Sequence, residues 1–215
     1  MRRSTFTDQS VTYGAVGGTQ AVDLLLYPPK GYRPYERSAR LGSGAERFAA
    51  ASRQLMTWGV QRGSGMEVTD IRPGVGEQYD AIRFNDDGTP AEDQSHSGPE
   101  ERYGEDGTAY IATGMTATVR LPVGPFAATA PVRVVYVVDE ERRVGFGYGS
   151  LAGHPLSGEE SFVVEHRDDD SVWITVRAFS RPARWYFRLA TPLLRLEQRR
   201  LTTRYLRALL PARTA

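Results

Sequence analysis

The residues best equipped for chemistry crowd into one stretch, RVGFGYGSLAGHPLSGEESF, at residues 143–162. Here Tyr148, His154, Glu159 and Glu160 stand close together. A histidine titrates near neutral pH, so with a carboxylate beside it the ring can move a proton or hold a metal ion. The plainer reading, which we prefer, is a loop histidine bonded to backbone, with Glu159 or Glu160 paired to an arginine. Ser150, His154 and Glu159 are hydrolase residue types, but a nucleophile elbow needs glycine two places to each side of the serine. Tyr148 and Ala152 stand there instead. Gly145, Gly147 and Gly149 imitate a dinucleotide-binding fingerprint, yet no helix follows to aim its amino end at a phosphate. His96 and His166 sit in unsupportive contexts, so we expect no metal site and no cofactor.

Arg177, Ser180 and Arg181 form a second set, where the last expected strand turns into a terminal helix. Arginine at such a mouth could grip a carboxylate or phosphate head while the apolar remainder of a ligand goes inside. Equally, Ser180 could be a helix cap and Arg181 a solvated side chain.

Strands must position these groups. Val144, Phe146 and Tyr148 alternate with Gly145, Gly147 and Gly149, giving a strand with one apolar face and one bare face. A helix, through Trp185 or Phe187, or a ligand is expected to lie on the bare face. Only one of the adjacent pair Glu159 and Glu160 is expected to point inward.

Residues 1–30 show little periodicity and read as an arm laid on the domain. A strand is expected at residues 32–41. Ser43 and Glu46, spaced as a capping box, predict a helix whose Phe48, Ala51, Leu55 and Trp58 share one face, with Gly59 and Gly63 as the stop. Trp58 is expected to line a ligand space. Strands follow at 68–71 and 75–83, around an Arg72-Pro73-Gly74 turn. Residues 85–107 are acidic and nearly free of aliphatics, an excursion read as a solvated insertion, with a lid as the alternative. Further strands are expected at 110–121, 132–138, 144–150, 161–166 and 172–179. Short polar turns between them predict antiparallel hairpins. The chain closes with a long helical pattern over 182–210, its apolar stripe running through Trp185, Leu189, Leu193, Leu196, Leu201, Tyr205 and Leu209. Pro192 predicts a kink. There is no internal repeat.

At 215 residues the chain fits one domain able to bury a sizeable core. No apolar run approaches the roughly 18 residues of a spanning helix. The chain has no cysteine, which excludes disulfides, thiolate metal sites and cysteine nucleophiles. MRRSTFTDQS, at the start, leads into no apolar signal region, so a cytoplasmic location is expected. A net charge of +1 hides opposed patches: ten arginines against Glu197 over residues 177–213, and eight acids against Arg102 over residues 86–106. The basic segment lacks a nucleic-acid fold signature and an aromatic platform, so no nucleic-acid partner is expected. Peripheral contact with a membrane surface stays open.

The runs RVVYVVDEERRVGFGYGSLAGHPLSGEESF and VWITVRAFSRPARW, the tail QRRLTTRYLRAL, and the earlier TYGAVGGT, GYRPYERSARLGSGAERFAAASRQLMTWGVQRGSG and IRPGVGEQY resemble uncharacterised protein family 0548. The resemblance covers nearly all of the chain. It implies a helix-grip architecture like the START and Bet v 1 (SRPBCC) superfamily, whose members commonly enclose apolar ligands, and it brings no reaction. The expectation is therefore an α+β domain, a curved antiparallel sheet wrapped around a long C-terminal helix. Between them it would bind a small, largely apolar or amphipathic ligand, with or without an anionic head, near Trp58, Tyr148, His154, Glu159, Glu160, Arg177, Ser180 and Arg181. The alternative is an interaction or scaffold protein using its arginine-rich helix on an acidic partner or membrane. A weaker one is an enzyme using Tyr148, His154 and Glu159.

Overall fold

β-Branched and aromatic residues, alternating with polar ones and punctuated by tight polar turns, build seven strands: β1 Arg33–Ser43, β2 Glu67–Arg72, β3 Thr116–Val123, β4 Phe126–Glu140, β5 Arg143–Ser150, β6 Leu156–His166 and β7 Ser171–Pro182. The computed structural model describes residues 10–74, 107, 109–123, 126–183 and 203–210. Among these, the strands form one antiparallel sheet in the order β1-β7-β6-β5-β4-β3-β2. Two helices, α1 Ala45–Met56 and α2 Gly59–Gly63, carry the chain from β1 at one edge to β2 at the other. From there the strands meander back until β7 closes onto β1.

Several expected boundaries move. The strand foreseen at 110–121 begins at Thr116, because residues 110–115 are a connector tied by Ile111 N to Met56 O (2.8 Å) and Gly114 N to Val134 O (2.8 Å). The capping box does not form: Ser43 pairs with Ser171 as the last residue of β1, and Gly44 caps α1 without a side-chain bond. Nor does α1 reach Trp58. Trp58 takes a left-handed backbone (φ 63°) at the corner between α1 and α2. The next residue must be glycine, since a Cβ on Gly59 would collide with the Gln54 carbonyl.

β7 runs on to Pro182 along β6, with Ser180 paired to both β1 and β6, so the terminal helix does not start at Pro182 and Ser180 is a strand residue rather than a helix cap. Of the long C-terminal pattern, a short helix at 203–208 is described. The remaining stripe residues up to Leu201, with Pro192, lie outside the described residues, as do the expected strand at 75–83 and all but Gly107 of the acidic excursion.

The sheet has two covered faces. Helix α1 and the 203–208 helix pack on the inner face with Leu55, Trp58, Phe146, Tyr148, Phe162, Ile174, Tyr205 and Leu209, all buried. The 203–208 helix is held there by Arg47, which donates to both Leu41 O and Leu209 O. Against the outer face lies the amino-terminal segment, where Tyr13 and Leu24 pack with Phe179. Among the described residues no helix is long and apolar enough to cross a membrane.

Candidate functional site

Successive side chains of a strand point to opposite faces, so Glu159 and Glu160 leave β6 on opposite sides of the sheet. The register sets Glu160 beside Tyr148 and Ala178, and Glu159 beside Gly149 and Phe179.

On the inner face the Glu160 carboxylate accepts hydrogen bonds from the hydroxyls of Tyr148 (2.7 Å) and Tyr35. The Tyr205 ring, from the 203–208 helix, packs edge to face on Phe162, with its hydroxyl directed at Met66 Sδ (4.0 Å). Burial pushes the Glu160 carboxyl above its usual range, and the three tyrosine hydroxyls oppose that shift. The hydroxyls of Tyr148 and Tyr205 are held well above the ordinary tyrosine value, first by burial and then by the Glu160 charge. They are therefore proton donors at neutral pH. Behind them stands an aromatic wall. Trp58 meets Phe146 edge to face at 5.4 Å and lies nearly parallel to Tyr148 at 6.3 Å, while Phe162 meets Tyr205 at 5.2 Å. Trp58 Nε1 and both side-chain polar atoms of Gln61 are buried with no hydrogen-bond partner among the described residues.

On the outer face Glu159 receives Tyr13 Oη (2.7 Å), Gly17 N (2.7 Å), Thr19 N (2.8 Å) and Thr19 Oγ1 (2.5 Å). With its own hydrogen given to Glu159, Thr19 Oγ1 accepts from Tyr136 Oη at 2.6 Å. Burial, then the neighbouring Glu159 charge, raises Tyr136 to about 12. The bare face of β5 is filled here. A Cβ on Gly147 would strike the Tyr136 ring, and one on Gly149 the Tyr13 ring. Tyr136 and Tyr13 take the places over Gly147 and Gly149 that were expected for a helix or a ligand; Trp185 and Phe187, the helix residues foreseen there, lie outside the described residues. Only Glu160 of the pair points to the inner face, as expected; Glu159 is buried all the same, because the amino-terminal segment roofs the outer face.

Arg177 belongs to this outer clamp. Its guanidinium donates to Thr19 O (2.9 Å) and Ala21 O (2.8 Å), and its Nε lies 2.8 Å from Glu36 Oε2. Arg181 is exposed and sits over the Tyr32 ring at 4.5 Å. Ser180 is a half-buried β7 residue opposite Gly158. The three do not gather at one mouth, and Arg177 is not on the inner face. His154 lies in the β5–β6 loop, where Nδ1 accepts the Leu156 amide at 2.9 Å. In the neutral ring the proton is therefore on Nε2, and burial lowers the ring to about 4. Tyr148, His154 and Glu159 are thus not one constellation. Ser150 Oγ is likewise engaged, accepting Gly158 N at 2.9 Å and bonding Thr12 Oγ1 at 2.7 Å.

Of the residues singled out from sequence, the structure brings together Trp58, Tyr148 and Glu160. Sequence reading missed Tyr35, Gln61 and Tyr205 at this place, and Tyr13, Thr19 and Tyr136 at the outer clamp. Tyr205 was visible as part of the apolar stripe. Tyr35 carries only the alternation of β1 as a signal, and Tyr13 none, since its partner Glu159 is far along the chain.

A family model described as "Domain of unknown function (DUF1990)" matches residues 12–85 and 102–208. A UPF0548 protein of Deinococcus radiodurans is 46% identical over 80 residues, which are 37% of this chain and 40% of that protein. UPF0548 protein At2g17695 of Arabidopsis thaliana is 40% identical over 76 residues, covering 37% of its length, so each alignment spans well under half of the relative. Among solved structures, the hypothetical protein jhp0584 of Helicobacter pylori overlays 98% of this chain and 97% of its own at a TM-score of 0.50 with 10% identity, a likeness of fold. The chain belongs to the DUF1990 family.

Proposed function

We propose that the inner face binds a small, largely apolar ligand, between the sheet and the C-terminal segment, with Glu160 and its tyrosines as the polar anchor. One observation carries this reading. Glu160, only half-buried, presents its carboxylate to the hydroxyls of Tyr35 and Tyr148 at the edge of a cluster of aromatic rings. The aromatic wall supplies the apolar contact, and Trp58 Nε1 and Gln61, without partners among the described residues, supply polar groups to be satisfied. An extended C-terminal helix gripped by the sheet belongs to the same reading, supported by the seat of residues 203–208 against Phe162 and Met66. An anionic head group loses its support, because Arg177 is spent on the outer face. A cytoplasmic location is compatible with a chain that contains no cysteine.

Native mass spectrometry of the protein purified from its own host tests this. The expected result is a discrete non-covalent added mass that is released on unfolding. A bare polypeptide mass under the same gentle conditions contradicts the proposal.

A further inference from the structure

Buried carboxylates are ordinarily matched by a cation, because the charge is costly to strip of water without one. Glu160 has no such match among the described residues: its hydrogen-bond partners are the hydroxyls of Tyr35 and Tyr148, both neutral donors. Those bonds occupy part of the carboxylate's acceptor capacity and leave lone pairs over. Beside it stand the buried rings of Tyr148 and Trp58, whose faces carry the negative side of the aromatic quadrupole. A carboxylate and aromatic faces converging on one spot together make a receptor for positive charge, whereas the arginines foreseen as anion binders are elsewhere.

We propose that the Glu160 carboxylate is the counter-ion for a protonated amine carried by an otherwise apolar ligand, whose body lies against Trp58, Tyr148 and Tyr205. This rests on the ligand-binding reading above and names the chemical class of the ligand. The amine takes the free lone pairs of Glu160, and the surrounding hydroxyls hold the carboxylate in place for it. A hydrogen-bond acceptor elsewhere on the ligand would meet Trp58 Nε1, a donor without a protein partner among the described residues.

The test uses three aryl probes of matched size, phenethylamine, phenethyl alcohol and hydrocinnamate, titrated calorimetrically into the full chain at neutral pH. The amine is expected to bind at least about tenfold tighter than the alcohol, with the carboxylate weakest. In Glu160→Gln the amine should fall to the level of the alcohol. Tyr35→Phe, which leaves the carboxylate with one donor fewer, should keep the preference for the amine. Should Glu160→Gln fail to fold, the wild-type rank order decides alone. If the alcohol or hydrocinnamate binds as tightly as the amine, or the preference survives in folded Glu160→Gln, the amine assignment is overturned and the ligand-binding reading stands. If none of the three binds, both are overturned.

Discussion

Glu159 and Glu160 are neighbours in the chain and identical in chemistry, yet the protein treats them in opposite ways. Glu159 faces a roof of its own chain, and four donors from Tyr13, Gly17 and Thr19 close around it. Glu160 faces an aromatic wall, is held by tyrosine hydroxyls and keeps accessible surface. Saturation by four donors, two of them backbone amides, marks a structural clamp. Flexible hydroxyl donors beside a free lone pair mark a group that can still take a ligand. The difference lies in what covers each face of the sheet, not in the residue.

The comparison can be broken most severely from the inner side. Phe146 is fully buried between Trp58, Tyr148 and Phe162. Phe146→Ala should cost about 3–5 kcal/mol in chemical denaturation, and a loss under about 1 kcal/mol would mean the wall is not packed as described. From the outer side, Glu159→Gln replaces one acceptor oxygen with an amide that cannot accept from Tyr13 Oη or Gly17 N. We expect a loss of about 2–3 kcal/mol, with limited proteolysis in the amino-terminal segment sharply accelerated. An unchanged cleavage rate would show that Glu159 does not hold that segment down.

The loop between β5 and β6 sets which glutamate faces which way, and pH sharpens its part. His154 is lowered from 6.5 to about 4, so the unfolded chain binds its proton more tightly. Its contribution is whole above about pH 6.5 and is lost as pH falls toward 4, amounting to about 3 kcal/mol. The two glutamates run the other way: each is raised, so its contribution is full at low pH and fades as pH rises through its folded value. His154→Asn, whose side-chain oxygen can still accept the Leu156 amide, should therefore flatten the acid-side loss of stability between pH 6.5 and 4. An unaltered pH profile would place the histidine in water. The smallest effect is expected at Arg181, exposed over Tyr32, where Arg181→Ala should change the unfolding free energy by less than about 1 kcal/mol and leave probe binding alone.

Much of the frame was legible in the sequence because it follows local periodicity. The alternation in residues 143–150 marks β5, and the spacing of Phe48, Ala51 and Leu55 marks α1. The short polar turns around Glu140 and Asp169 mark antiparallel hairpins. What covers the glycine face was not legible. Tyr13 sits in a segment without period, and Tyr136 reaches Gly147 because a bulge between Val134 and Tyr136 shifts its side. The Trp58 corner was hidden for a related reason: its helical spacing is correct, and the break comes from a left-handed backbone that no residue before Gly59 announces. Ser180 misled because a serine ahead of a proline reads as a cap, while pairing with strands on both sides keeps it in the sheet.

In the proposed site the inner carboxylate, Glu160, and not Glu159, meets the ligand. Calorimetric titration of phenethylamine into Glu159→Gln and Glu160→Gln, side by side at a temperature where both are folded, asks this directly. Affinity should stay near the wild-type value in Glu159→Gln and fall at least about tenfold in Glu160→Gln. Equal losses in the two variants, or a loss confined to Glu159→Gln, would contradict it.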